Sequence, residues 1–212
     1  MNRLLLIMVG YVLIARPAYA LDDLVIPRGE KFQANEAEPT DNEKKSGAWF
    51  IEGQIGDVQY RRASDGSAGF KIHKESDESP RIGKKDWNVD CLIDSMSDLK
   101  ACFVRNGVYR VAIDRLCKPH VIIGWNHYPG ADVLARIGSE KPLVGKARSG
   151  GEMPDSASKK IHEALLAKKS VLLQYQEWPQ SYSTDSKVEG VAYKEAATYA
   201  CWAVKRVKKS NG

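Results

Sequence analysis

Residues 86–125, DWNVDCLIDSMSDLKACFVRNGVYRVAIDRLCKPHVIIGW, hold three of the four cysteines and the clearest strand patterning in the chain. Asn106-Gly107 lies between two runs of strand-formers, LKACFVR and VYRVAI. Asn-Gly accepts the positive φ angles of a type I′ turn, whose twist matches paired strands, so a two-residue hairpin is expected. That register pairs Arg105 with Val108, Val104 with Tyr109, Phe103 with Arg110 and Cys102 with Val111. Side chains alternate along a strand, so Cys102, Val104, Tyr109, Val111 and Ile113 share one apolar face. Trp87, Val89, Cys91 and Ile93 share a parity upstream, opposite Asn88 and Asp90, and Cys117, Val121, Ile123 and Trp125 do so downstream. Cysteines at inward positions of neighbouring strands suit buried disulfides better than a surface redox site.

The amino terminus indicates the compartment. Residues 1–20, MNRLLLIMVGYVLIARPAYA, have a positive start at Arg3, an apolar run over 4–14 and a small-x-small end at Ala18-Tyr19-Ala20. This pattern is that of a secretory signal peptide, with cleavage expected after Ala20. The apolar run is too short for a bilayer core of roughly 30 Å, and Arg16 interrupts it. No cysteine follows the cleavage site to carry a lipid anchor, and no later segment has the character of a membrane span. An exported chain with an even cysteine count is expected to form disulfides. Four cysteines allow three connectivities; the strand pattern favours Cys91–Cys102, across adjacent strands, and Cys117–Cys201, tying the carboxyl terminus to the sheet. A structural zinc site would ordinarily bring C-x-x-C pairs, and there is none.

Without residues 1–20, 192 residues remain, enough for one good core. The signal carries two arginines and no acid, so the formal charge falls from +5 to +3. The charge is uneven: residues 21–45 hold seven acidic against four basic side chains, and 205–209 hold four basic ones. A basic tail can meet anionic lipid or nucleic acid. Here it reads more simply as a solvated helix end that complements the helix dipole, and no nucleic-acid-binding motif accompanies it. Residues 21–85 read as an extended lead-in, polar over 21–47, with short strands AWFIEGQ, VQYRR and GFKIH and a linker over 75–85. A boundary near residue 85 would leave 86–207 as the principal domain and 208–212 as the end of the basic tail.

Past Trp125, HYPGADVLARIGSEKPLVG reads as turns and short strands. Pro154-Asp155-Ser156 starts a helix of about three turns, with Ile161, Leu165 and either Ala164 or Lys168 on one face. SVLLQYQEW, 170–178, is a strand, and VEGVAYKEAATYACWAVKRVKK runs from a short strand into a last helix. Ala197, Ala200, Cys201 and Val204 recur there at helical spacing, placing Cys201 on the buried side.

Catalytic patterns are missing. His162-Glu163 would need a histidine at 166 to complete a zinc-protease helix, and that residue is Leu166. His73, His120, His127 and His162 show no metal-ligand spacing. His120 with Asp114 and a serine is a combination any chain of this length offers, since triads are recognised by geometry. Ser149-Gly150-Gly151 does not fit a nucleophile elbow, and Gly145, Gly150 and Gly151 do not form a phosphate loop. The expectation is no catalytic residue, no metal and no cofactor. Trp125, His127 and Tyr128 beside Pro129-Gly130, together with Trp178 and Tyr182, have two readings. They are loop-borne binding anchors, or Trp125 and Trp178 finish core strands and are buried.

The domain start Trp87-x-Val89-x-Cys91, the second cysteine at Cys102, the helix–lysine–strand element ALLAKKSVLLQYQEW and the Gly190-centred run VEGVAYKEAATYA form a recurring set. Over roughly residues 86–203 the chain resembles the invasion-associated locus B family of exported bacterial proteins. It departs from that family in the wide separation of Cys117 and Cys201 and in the long segment before residue 86. The resemblance implies a β-sandwich-like periplasmic or envelope protein linked to host-cell entry, with no catalytic residue to carry over. The expectation is therefore a mainly β, disulfide-stabilised domain with one or two short helices, acting by contact with an unknown protein partner. An inhibitor or accessory factor of a cell-wall enzyme or secretion assembly is the first alternative. A hydrolase built on His120 or His127 is the second.

Overall fold

The computed structural model describes residues 24–46, 48–72, 87–94, 97–146, 150–179 and 182–209. The signal-peptide reading of 1–20, His73 and the linker reading of 75–85 fall outside them. The described chain is mainly β and sandwich-like. Seven antiparallel strands follow one another in chain order in one sheet: β2 (Phe50–Ile55), β3 (Val58–Ala63), β4 (Ala68–Ile72), β5 (Trp87–Ile93), β6 (Lys100–Asn106), β7 (Tyr109–Asp114) and β8 (Pro119–Ile123). A second, four-stranded sheet has the order β10 (Leu143–Lys146), β9 (Asp132–Ile137), β11 (Ser170–Gln176), β12 (Ser183–Glu189). The termini close on each other as β1 (Leu24–Val25) and β13 (Lys208–Lys209), so the basic tail begins as a paired strand.

The central hairpin forms with its register moved by two residues. Asn106 pairs with Tyr109, Val104 with Val111 and Cys102 with Ile113. The two-residue loop is Gly107-Val108, and Gly107, at φ 55°, takes the first central position that a type II′ turn gives to glycine. A two-residue shift keeps side-chain parity, so the expected inward set is unchanged, and Cys102, Val104, Tyr109, Val111 and Ile113 are all buried. Cys91 stands directly opposite Cys102 across β5 and β6 and is bonded to it, and Cys117 is bonded to Cys201. Two closed disulfides fit an oxidising, extracytoplasmic setting. Among the described residues no helix is long and apolar enough to cross a membrane.

Helix α2 (Asp155–Leu166) lies against β8 and β11, burying Ala157, Ile161, Ala164 and Leu165. Burial of Ile161 and Leu165 contributes roughly 1.5–3 kcal/mol each. Lys168 is not part of that face: it lies past the helix, in the left-handed region at φ 58°. Helix α3 (Tyr193–Val204) crosses β5, β6 and β7. Its alanines are the best helix formers, and small side chains at Ala196, Ala200 and Ala203 let it lie close on the sheet while Tyr193 and Tyr199 fill the gaps. A third helix, the short α1 (Asp41–Ser46), was not expected. Thr40 and Glu43 close a reciprocal capping box at its start, Glu43 accepting from the Thr40 amide at 2.8 Å.

The boundary near residue 85 does not divide the fold. Ala68, Gly69 and Phe70 of β4 pair with Val89, Asn88 and Trp87 of β5, so β2–β4 belong to the same sheet as the cysteine-bearing strands. Neither is the segment before them a loose lead-in, because Ile26, Glu36 and Trp49 are buried. The polar composition of this segment hides its anchors, which are the inward Ile26, Phe32 and Trp49 together with the buried Glu36 carboxylate.

Candidate functional site

Two constructions stand at opposite edges of the seven-stranded sheet. The first grows from the end of β8. Gly124 has φ 74°, and a side chain there would run into the Tyr175 ring, so glycine is required twice over. The left-handed residue ends the alternation. Trp125, which shares parity with the buried Val121 and Ile123, turns outward and is 46% exposed. Asn126, at φ 48°, continues the turn. The chain then pairs with the end of β11: the Trp178 amide donates to the Asn126 carbonyl at 2.7 Å and the Tyr128 amide to the Gln176 carbonyl at 2.8 Å. The Asn126 side-chain amide donates to the Trp178 carbonyl at 2.7 Å. Below the loop, Arg110 donates to the Gly124 carbonyl at 2.9 Å, and the Gly124 amide donates to the Val108 carbonyl at 2.8 Å.

His127 belongs to the scaffold. Its Nε2 lies 2.6 Å from the Ile123 carbonyl, which only accepts, so Nε2 carries the proton. Gly151 leaves the room this needs, since a side chain there would meet both groups. The rings above form a platform. Trp125 and His127 lie against Tyr175 at 6.4 and 5.8 Å between centroids, and Tyr128 lies against Trp178 at 5.3 Å. Trp178 is 48% exposed, so the reading of Trp125 and Trp178 as buried core residues is corrected. The reason is that β8 stops at Ile123 and β11 at Gln176, before either tryptophan. Tyr182 is 64% exposed and, among the described residues, makes no ring contact with this group.

The second construction is at the β2 and β3 edge, and no motif announced it. Glu36 and Arg62 are both buried. The Glu36 carboxylate accepts from Arg62 Nε and Nη2 at 2.7 Å each, from the Tyr60 hydroxyl at 2.8 Å and from the Phe32 amide at 2.9 Å. Burial alone would raise its pKa, but the bonds from Arg62 and Tyr60 and the Arg62 charge outweigh that and hold it below the ordinary carboxylate value. Burial and the Glu36 carboxylate push the Tyr60 phenol well above its usual range. The guanidinium lies over the rings of Trp49 and Trp202, at 5.0 and 5.3 Å. A pocket of about 220 Å³ opens beside it, with Trp49, Ile51, Ala37 and Pro39 among its walls. A signal for this pair exists in the sequence: Arg62 shares the inward parity of Val58 and Tyr60 on β3, and an inward arginine requires a buried partner.

The remaining candidates do not assemble into a site of their own. His120 lies between Asp114 and Glu152, at 3.7 and 3.6 Å, and among the described residues no hydroxyl is bonded to it. The nearby Ser158 hydroxyl is engaged by the Val121 amide and the Met153 carbonyl. His162 is hydrogen-bonded to the buried Tyr193 hydroxyl at 2.7 Å. Among the described residues no three His, Cys, Asp or Glu side chains are grouped to hold a metal ion. No protein-family model, curated protein or solved structure matches the chain.

Proposed function

We propose that this chain is a non-catalytic binding protein of the bacterial envelope, exported by a cleaved signal over residues 1–20, that docks a partner protein on Trp125, Tyr128 and Trp178. The observation that carries the reading is the pairing of 126–128 with 176–178, which holds half-exposed rings on a backbone that has little freedom left to lose. A rigid aromatic anchor gives up little entropy on binding. Covering the exposed half of one indole is worth roughly 2 kcal/mol from area alone. The likeness of residues 86–203 to the invasion-associated locus B family supports a partner on a host cell. The same protruding, paired loop also supports the inhibitor reading, in which it caps a cell-wall enzyme in the periplasm.

The test is a photo-crosslinking amino acid placed in the producing bacterium at Tyr128, at Trp178 and, as control, at Lys187 on β12. Adducts at Tyr128 and Trp178 and not at Lys187, lost when Trp125 becomes Ala, are expected. The mass of the adduct separates a host protein from an envelope enzyme. Adducts distributed equally over all three positions, or none, would overturn the reading.

A further inference from the structure

We infer that the end of the large sheet carrying Leu99 and Leu116 docks on an anionic phospholipid bilayer. The two leucines enter the headgroup region, and Lys100, Arg115 and Lys208 face the lipid phosphates. The inference is independent of the aromatic platform, which follows β8, whereas Leu116 stands in the turn before it. β8 is five residues long, so roughly 17 Å of strand separates the two surfaces. A chain held on a bilayer by the leucine end would present the platform away from it.

The starting point is where apolar exposure lies. Leu116 is 88% exposed and Leu99 68%, the largest values among the described large hydrophobic side chains. Both leave the sheet at one end. Ile93 pairs with Lys100 and Ala101 with Asp114; Leu99 precedes the first pair and Leu116 follows the second. Leu92, opposite Ala101, adds a third exposed leucine there. The turn that carries Leu116 is fixed: the Asp114 carboxylate accepts from the Leu116 and Lys118 amides at 2.8 Å each, and Cys117 is bonded to Cys201. Isolated exposed leucines are ordinary, but these stand together on neighbouring turns and among cations.

Charge selects the occupant. Lys100 donates to the Val207 carbonyl at 2.6 Å, which brings β13 beside the leucine turns. Burial first, and then the Arg115 and Lys208 charges, hold the Lys100 pKa below the ordinary lysine value, so the three cations lie within electrostatic reach of one another. Arg115 and Lys208 are exposed and, among the described residues, form no ion pair. The nearby acids are engaged. Asp98 lies 3.6 Å from Lys209, Asp155 2.6 Å from Lys118 and Asp114 3.7 Å from His120, and Asp94 accepts from the Ser97 amide at 2.9 Å. A free anion would answer the cations but leave the leucines in water. Apolar tips among Lys and Arg match an interface where acyl chains lie beneath phosphates.

The test sediments the disulfide-intact chain, recovered from the periplasm, with vesicles of phosphatidylglycerol mixed with phosphatidylcholine, and with vesicles of phosphatidylcholine alone. Saturable binding to the anionic vesicles, weakened by added salt, is expected. Leu99→Ser with Leu116→Ser should weaken it by roughly tenfold or more, through the loss of two inserted side chains. Arg115→Gln with Lys208→Gln should weaken it by roughly 25-fold, about fivefold for each cation near the surface. Leu172→Ser, on β11 of the other sheet, should leave binding unchanged. All five positions are exposed, so the unfolding temperature of each variant should stay near that of the parent. Equal binding to neutral vesicles, or none to anionic ones, would overturn the inference. So would binding unchanged in the leucine variant, which would leave this end a site for free anions rather than for a bilayer.

Discussion

At the β2 edge of the large sheet a carboxylate and a guanidinium are buried, while at the β8 edge two tryptophans stand half exposed. Each edge inverts the usual placement of its residue types. At the first, the Glu36–Arg62 pair is held by side-chain bonds between positions 24 to 26 residues apart, with the Phe32 amide and the Glu30 carbonyl completing the set. At the second, the rings are set by backbone hydrogen bonds between two strand ends, and the rings themselves contribute little. What holds a region together decides which substitution harms it. The first edge should fail when one side chain is removed, and the second should keep its shape when its most conspicuous side chains are cut away.

Glu36→Ala gives the largest expected effect of any single substitution. It leaves the Arg62 charge buried and unpaired, a loss of about 3–5 kcal/mol, read as a fall in the urea midpoint with unchanged slope. The double change Glu36→Leu with Arg62→Met should recover much of it, because no charge is then stranded. A loss below about 1 kcal/mol for Glu36→Ala would place the pair with solvent-exposed ion pairs and break the contrast.

Serine at both Cys117 and Cys201 should cost about 4–5 kcal/mol, against about 3 for Cys91 and Cys102, in the chain-entropy model. The ordering follows from the sequence separations of 84 and 11 residues, and paired denaturation curves under oxidising conditions check it.

Acid should act on two groups away from the platform. Glu36 titrates below its ordinary 4.5, so its contribution is complete above pH 4.5 and is lost as pH falls through the lower folded value. His162 is held below its ordinary 6.5 by burial, so protons favour the unfolded chain. Its neutral form supports the fold fully above pH 6.5, and that support declines as pH drops from there towards the folded value. Unfolding temperature measured from pH 8 to 2 should fall in two limbs, and His162→Gln should remove the upper one.

Trp125→Ala and Trp178→Ala give the smallest expected effect on stability, about 1–2 kcal/mol each for the half of the ring that is buried, although both should abolish crosslinking to the partner. Loss of stability as large as that of Glu36→Ala would make the tryptophans structural and end their claim to a docking surface.

Much of the fold was readable from short-range pattern. Alternation assigned the inward faces of β5 to β8, helical spacing assigned those of α2 and α3, and inward cysteines on neighbouring strands indicated the Cys91–Cys102 bond, whereas Cys117 lies in the turn before β8 and meets Cys201 on α3. The hairpin register was wrong by two residues because Asn-Gly suits more than one turn, and only the pairing of whole strands chooses between them. The platform was half readable: its rings could be named, but their exposure depended on the left-handed turn at Gly124, which breaks the alternation that would have buried Trp125. Two further features carry a local signal. Thr40-Asp41-Asn42-Glu43 is a capping-box sequence, and Arg62 sits at an inward position of β3.

The sequence by itself determined strand parity, the helical faces and the supply of paired cysteines, since these rest on periodicities of two and 3.6 residues that any local stretch displays. Only the tertiary structure decided that β2–β4 join the cysteine-bearing strands, that Glu36 meets Arg62 across 26 positions and that the ends of β8 and β11 meet. The physical reason is that a buried charge and an exposed ring are each settled by what lies across from them, and residues far along the chain supply it.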